Sequence, residues 1–103
     1  MIFAKEILTK ARLDEYIASR ISEGKHPTFA NFCSQMGFAR SHSWRVFSAV
    51  NGFAPGPYIT SKKDEYIKAN VHRRADRVAV DLGMSKAQVS RRAKAMGLRM
   101  GGK

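Results

Sequence analysis

Gly83 divides the last third of the chain into two stretches of helical periodicity, and this break most limits what the chain can fold into. Before it, Ala75, Val78, Ala79 and Leu82 recur at the spacing of one helix face. Glycine enters a left-handed C-cap at little steric cost, so Gly83 is expected to stop that helix. After it, Ser85 is suited to cap a second helix, and Gln88 stands three residues on, at the capping-box spacing. In this second helix Val89, Ala93 and Met96 share one face. Ala87, Arg91 and Lys94 share the opposite face, with Ser90 beside them. The second helix therefore has an apolar side to bury and a basic side to present, as a helix lying in a DNA major groove must.

A small residue (Ala79), a glycine four positions later (Gly83) and an aliphatic six beyond that (Val89) resemble the helix-turn-helix pattern. The tail Val89-Ser90-Arg91-Arg92-Ala93-Lys94-Ala95-Met96-Gly97-Leu98 is similar to the last helix of homeodomain-like or Myb-like three-helix DNA-binding domains. The resemblance is best over residues 61–98. It implies an all-α fold and duplex DNA as the partner.

Charge points the same way. The formal net charge is +11, and an excess of this size in 103 residues marks a polyanion partner. It is uneven. Residues 1–57 hold seven Lys/Arg against four Asp/Glu; residues 58–103 hold twelve against four, and no acid follows Asp81. The positive field is thus concentrated around Gly83 and behind it. Cys33 is the only cysteine, which excludes an intramolecular disulfide and reads as a small buried hydrophobe. No apolar run approaches membrane-spanning length, and Met1-Ile2-Phe3-Ala4-Lys5-Glu6 lacks the pattern of a signal peptide. The expected location is the cytoplasm, with the nucleoid.

The first half reads as helical too. A helix is expected over Phe3 to Ser22, with a kink near Ala11–Leu13, because a straight helix would carry Asp14 into the apolar face. Residues 23–27 form a loop. Thr28 caps a helix through Phe29, Phe32, Cys33 and Met36, ended by Gly37. Ser41 or Ser43 caps the next, with Trp44, Phe47 and Val50 as its core face and Asn51-Gly52 at its end. The phrase Asp14-Glu15-Tyr16-Ile17 recurs as Asp64-Glu65-Tyr66-Ile67, which suggests duplication of a three-helix unit. The architecture expected is all-α: an N-terminal unit at 1–52, a Pro/Gly linker at 53–60, and a C-terminal unit at 61–103. In the last, Ser61 caps a helix with Asp64 at the capping-box position, and residues 98–103 form a frayed basic tail.

Nothing in the chain resembles catalytic machinery. His26, His42 and His72 are scattered and show no metal spacing with Cys33, the paired acids are explained as helix starts, and no phosphate loop or nucleophile elbow is present. No enzyme activity, cofactor, metal or small ligand is expected. For DNA, the base-reading candidates are Ser85, Lys86, Ala87, Gln88 and Arg91, since the start of such a helix meets the base edges. Arg91 suits guanine, and Ala87 a thymine methyl. Gln88 suits adenine, and equally suits capping with Ser85. The phosphate candidates are Lys62, Lys63, Arg73, Arg74, Arg77, Ser90, Arg92, Lys94 and Arg99.

The function expected is sequence-selective duplex DNA binding, as a small bacterial or phage transcriptional regulator. One reading helix covers few base pairs, so a homodimer through the aromatic N-terminal unit is a further expectation. The alternatives are a basic inhibitor or adaptor of an acidic partner protein, and a weakly selective architectural or packaging protein.

Overall fold

The structure, a computed structural model, describes residues 4–101. Among these the chain forms seven α-helices and no strand: α1 (Ala4–Ile7), α2 (Lys10–Ser22), α3 (Phe29–Met36), α4 (Arg40–Asn51), α5 (Pro55–Ala69), α6 (Ala75–Leu82) and α7 (Lys86–Ala95). The all-α expectation holds. The expected start at Phe3 and the last two residues of the tail lie outside the described residues.

Two hydrophobic clusters organise these helices. The first gathers Leu8, Leu13, Tyr16 and Ile17 with Phe29, Phe32 and Cys33 of α3, Phe47 of α4 and Ile59 of α5. Its aromatic rings meet at tilted and edge-on angles, Phe29 standing 5.8 Å from each of Phe32, Trp44 and Phe47. Phe32 and Phe47 are wholly buried, and each such burial contributes about 1.5–3 kcal/mol. The second cluster joins Ile67 of α5 to Ala75, Val78, Ala79 and Leu82 of α6 and Val89 and Ala93 of α7. Ile21 at the end of α2 packs against both. Helix α5 supplies Ile59 to one cluster and Ile67 to the other, so it runs along both.

Several helix ends differ from expectation. The first break falls at Leu8–Thr9 rather than at Ala11–Leu13. Thr9 caps α2 by accepting from the Arg12 N–H, and the Asn51 amide clamps the break from α4. Its Oδ1 accepts from the Lys10 N–H, while its Nδ2 donates to the carbonyls of Leu8 and Phe47, all at 2.9 Å. Thr28 and Gly37 bound α3 as expected. Helix α4 starts earlier than expected: Ala39 is its N-cap and makes no side-chain cap bond, while Ser43 is buried inside the helix. Val50 is 45% exposed and is not on the core face; Phe47 is on it, and Trp44 is half-buried.

The largest correction concerns the linker. Residues 55–60 are helical, as the first turn and more of α5. Proline breaks a helix interior, but the N–H groups of the first turn have no intrahelical acceptor, so proline is at home there. Pro55 opens the helix and is buried, with Pro57 two residues later. Ser61 is therefore no cap. Asp64 lies in mid-helix, and its carboxylate pairs with Arg92 of α7 rather than with the helix end. The tail is not frayed through residue 101 either. The Gly101 N–H donates to the carbonyls of Val71 and Arg73, and Leu98 and Met100 pack on the second cluster.

Candidate nucleic-acid interface

The α6–α7 pair forms as local chemistry dictates. Gly83 takes the left-handed conformation, with φ 63°, and closes α6. It is constrained from outside as well: a Cβ built there would stand 2.3 Å from the backbone nitrogen of His26. The loop after α2 thus backs directly onto this turn. The Met84 N–H donates to the Ala79 carbonyl at 3.0 Å. Ser85 then caps α7 in a complete capping box. Its Oγ accepts from the Gln88 N–H at 3.1 Å, and Gln88 Oε1 accepts from the Ser85 N–H at 3.0 Å. Val89 and Ala93 point into the second cluster and are fully buried.

That burial leaves Lys86, Ala87, Gln88, Ser90, Arg91 and Lys94 exposed along the other side of α7. Ser85 is exposed at its start. Of the two roles open to Gln88, the geometry takes capping. With Oε1 already accepting from the Ser85 N–H, a two-point adenine contact would have to share that oxygen or open the box.

The phosphate candidates divide into paired and open cations. Arg92 grips Asp64 of α5 with both arms, Nε to Oδ1 at 3.1 Å and Nη2 to Oδ2 at 2.5 Å. This fork ties α7 to α5 and engages Nε and Nη2 of Arg92, while the side chain stays 42% exposed. Arg73 is likewise occupied. Its Nη1 donates to Asp81 Oδ2 at 2.9 Å and to Asn70 Oδ1 at 3.2 Å, while the Tyr66 hydroxyl donates to the same Asp81 oxygen at 2.6 Å. The hydrogen bond from Tyr66, reinforced by Arg73, holds the Asp81 carboxyl below the usual range for an aspartate. Lys63 is half-buried with its Nζ 2.9 Å from His26 Nε2, and burial pushes the ammonium down from its ordinary value. Lys62 lies 5.4 Å over the Tyr58 ring and 3.8 Å from Glu65. Arg74 is exposed with Asp76 at 3.3 Å. Among the described residues, Arg77, Lys86, Arg91, Lys94 and Arg99 are exposed and in no ion pair.

Four of the predicted residues are brought together. Arg74, Lys86, Ser90 and Arg99 line one shallow cavity of about 370 Å³, floored by Ala93, Leu98 and Met100. It opens beside the start of α6, whose N-cap Arg74 makes no side-chain cap bond. Three cations line it together with one acid, Asp76, which pairs with Arg74 at 3.3 Å and accepts from the Arg77 N–H at 3.0 Å, so the lining is net positive, as suits a phosphate. The returning tail that completes this cavity was invisible in the sequence, and so was the Asp64–Arg92 fork. The fork's partners are 28 residues apart, and no local spacing signals them.

Among the described residues, the aromatic side chains of the N-terminal half pack on the first cluster. Phe29, Phe32 and Phe47 are buried, and Trp44, Phe53 and Tyr58 pack on them. Among the described residues, no group of three His, Cys, Asp or Glu is arranged to hold a metal. No described helix is long and apolar enough to cross a membrane. No family model, no curated protein and no solved structure matches the chain.

Proposed function

We propose that the chain binds duplex DNA with sequence selectivity, laying α7 in the major groove, and acts as a small transcriptional regulator. One observation carries this reading: the exposed side of α7 presents Lys86, Ala87, Ser90, Arg91 and Lys94, with no acid on the helix, while its other side is locked to α5 and α6. Arg91, at the middle of that side, is the base reader, suited to guanine O6 and N7. Arg74, Lys86 and Arg99, around the cavity beside α6, hold a phosphate of the flanking backbone. Arg77 and Lys94 supply further phosphate contacts.

The test is selection of bound duplexes from a random pool by the purified chain, with Arg91→Ala alongside and at two salt concentrations. The reading expects an enriched motif whose preference Arg91→Ala relaxes at one position. Steeply salt-dependent binding without any enriched motif would reduce the activity to phosphate attraction and point to an architectural role. Failure to bind DNA, with a stoichiometric complex formed on an acidic protein, would replace the reading by an inhibitor or adaptor.

A further inference from the structure

Helices α3 and α4 repeat the α6–α7 pair in register. Both α3 and α6 are eight residues long, and each is closed by a left-handed glycine, Gly37 or Gly83, 46 positions apart. The residue after each glycine donates to the carbonyl five residues before it: Phe38 to Cys33 at 2.9 Å, Met84 to Ala79 at 3.0 Å. At this shift all but one of the buried positions coincide; the exception is Leu82, which is buried where Met36 is half-buried. Phe29, Phe32, Cys33, Ser43 and Phe47 fall on Ala75, Val78, Ala79, Val89 and Ala93, and all ten are buried. The exposed positions coincide as well. Arg40, Ser41, His42 and Arg45 stand where Lys86, Ala87, Gln88 and Arg91 stand, and all are exposed.

The charge of the α4 face suits a polyanion. No acid occurs between Glu23 and Asp64. Among the described residues neither Arg40 nor Arg45 is in an ion pair, and the Arg40 guanidinium lies 5.2 Å over the Trp44 ring. Placement adds a second argument. Arg40 and Trp44 line a cavity with Gly56, Thr60 and Lys63 of α5, and α7 is gripped by Asp64 of the same helix. Gly56, Thr60, Lys63 and Asp64 share one face of α5 by helical periodicity, so α4 and α7 each pack against that face, α4 nearer its start and α7 further along. From Gly56 to Asp64 the rise is about 12 Å. That corresponds to roughly three or four base pairs, far short of the roughly 34 Å between half-sites one turn apart.

We infer that α4 is a second DNA-reading helix: Arg40, Ser41, His42 and Arg45 enter the same major groove as α7, and a single chain reads one uninterrupted, asymmetric site. This rests on the proposed function. Arg45 takes the guanine-reading position that Arg91 holds on α7. His42, unlike Gln88, is in no capping box and offers its ring N–H to a base edge. Arg40 and Ser41 bind the adjoining backbone.

The experiment is duplex selection by the full chain and by three variants, Arg45→Ala, His42→Ala and Arg91→Ala, each checked for an unchanged helical spectrum. All three side chains are exposed, so folding is expected to survive. The expected motif is contiguous and non-palindromic, about six to eight base pairs long. Arg45→Ala and His42→Ala relax base preference in one half about tenfold, and Arg91→Ala does so in the other half. A motif relaxed by Arg91→Ala but unmoved by Arg45→Ala and His42→Ala overturns the second reading helix and leaves the proposed function standing. A palindrome with half-sites a full turn apart overturns it equally, in favour of a dimer reading through α7. Absence of any motif overturns both.

Discussion

Two glycines show how single residues decide this fold. In a helix, Gly→Ala ordinarily stabilises by up to about 1 kcal/mol. Gly56, in the first turn of α5, is expected to reverse that sign, because its Cβ would stand 2.5 Å from Cη2 of Trp44. The Trp44 ring is half-buried and stands edge-on to Phe29, so a retreat would disturb that contact. Gly56→Ala is expected to lower stability by about 1–3 kcal/mol, as overpacking does, measured by urea unfolding; a neutral or stabilised variant would show that Trp44 shifts freely. Gly83→Ala adds the left-handed backbone strain of about 1–2 kcal/mol to a clash with the His26 backbone, so it should cost more than Gly56→Ala in the same assay. Asn51→Ala removes two hydrogen bonds to the α1–α2 break, leaving the Lys10 N–H and Leu8 carbonyl without that partner, and a third to the Phe47 carbonyl within α4. It is expected to cost about 1–3 kcal/mol.

At the scale of elements, α5 is held to the α6–α7 pair by polar locks as well as by Ile67. The Tyr66–Asp81–Arg73 lock fixes a pH dependence. The folded Asp81 carboxyl titrates below its unfolded value of about 3.9, so its contribution is complete above that pH and is lost as pH falls through the folded value. Tyr66→Phe removes the largest cause of the depression. The variant is expected to lose less stability than the wild type on acidification from pH 5 to pH 2, read from urea midpoints; parallel curves would show that Arg73 alone sets the titration. How much of this was legible depended on range. The ends marked by Thr28, Gly37, Gly52, Gly83 and Ser85 were readable because capping involves residues within four positions of one another. The start of α5 was misread because proline has two meanings, breaker of an interior and opener of a first turn, and only the burial of Pro55 and Ile59 chooses between them. The Asp64–Arg92 fork left no local trace. Arg73 and Arg92 therefore looked like phosphate clamps until their carboxylate partners were in view. The basic side of α7, by contrast, was read correctly from spacing alone, since the buried Val89 and Ala93 fix the opposite side by periodicity.

For the whole molecule, pairing separates formal charge from usable charge. Of the 19 Lys and Arg, Arg73, Arg92 and Lys63 are engaged internally, so the count of basic residues overstates the cations open to a polyanion. If Arg74, Arg77, Lys86, Lys94 and Arg99 are the phosphate contacts on the α7 side, the logarithm of the DNA-binding constant should fall against the logarithm of salt with a slope near −4 to −5. Contacts from Arg40 would steepen it, and Lys94→Ala should flatten it by about one. A slope near zero would rule out the polyanion reading altogether.

The helix α5 lends residues to both hydrophobic clusters and begins where the sequence suggested a seam. A protein chemist who cut the chain at that seam is not expected to release a free-standing C-terminal unit. The excised C-terminal piece would begin partway along a severed rod, without the loop that backs its turn at Gly83. The two hydrophobic clusters share one spine, α5, and a piece taken from either end would leave part of that spine behind.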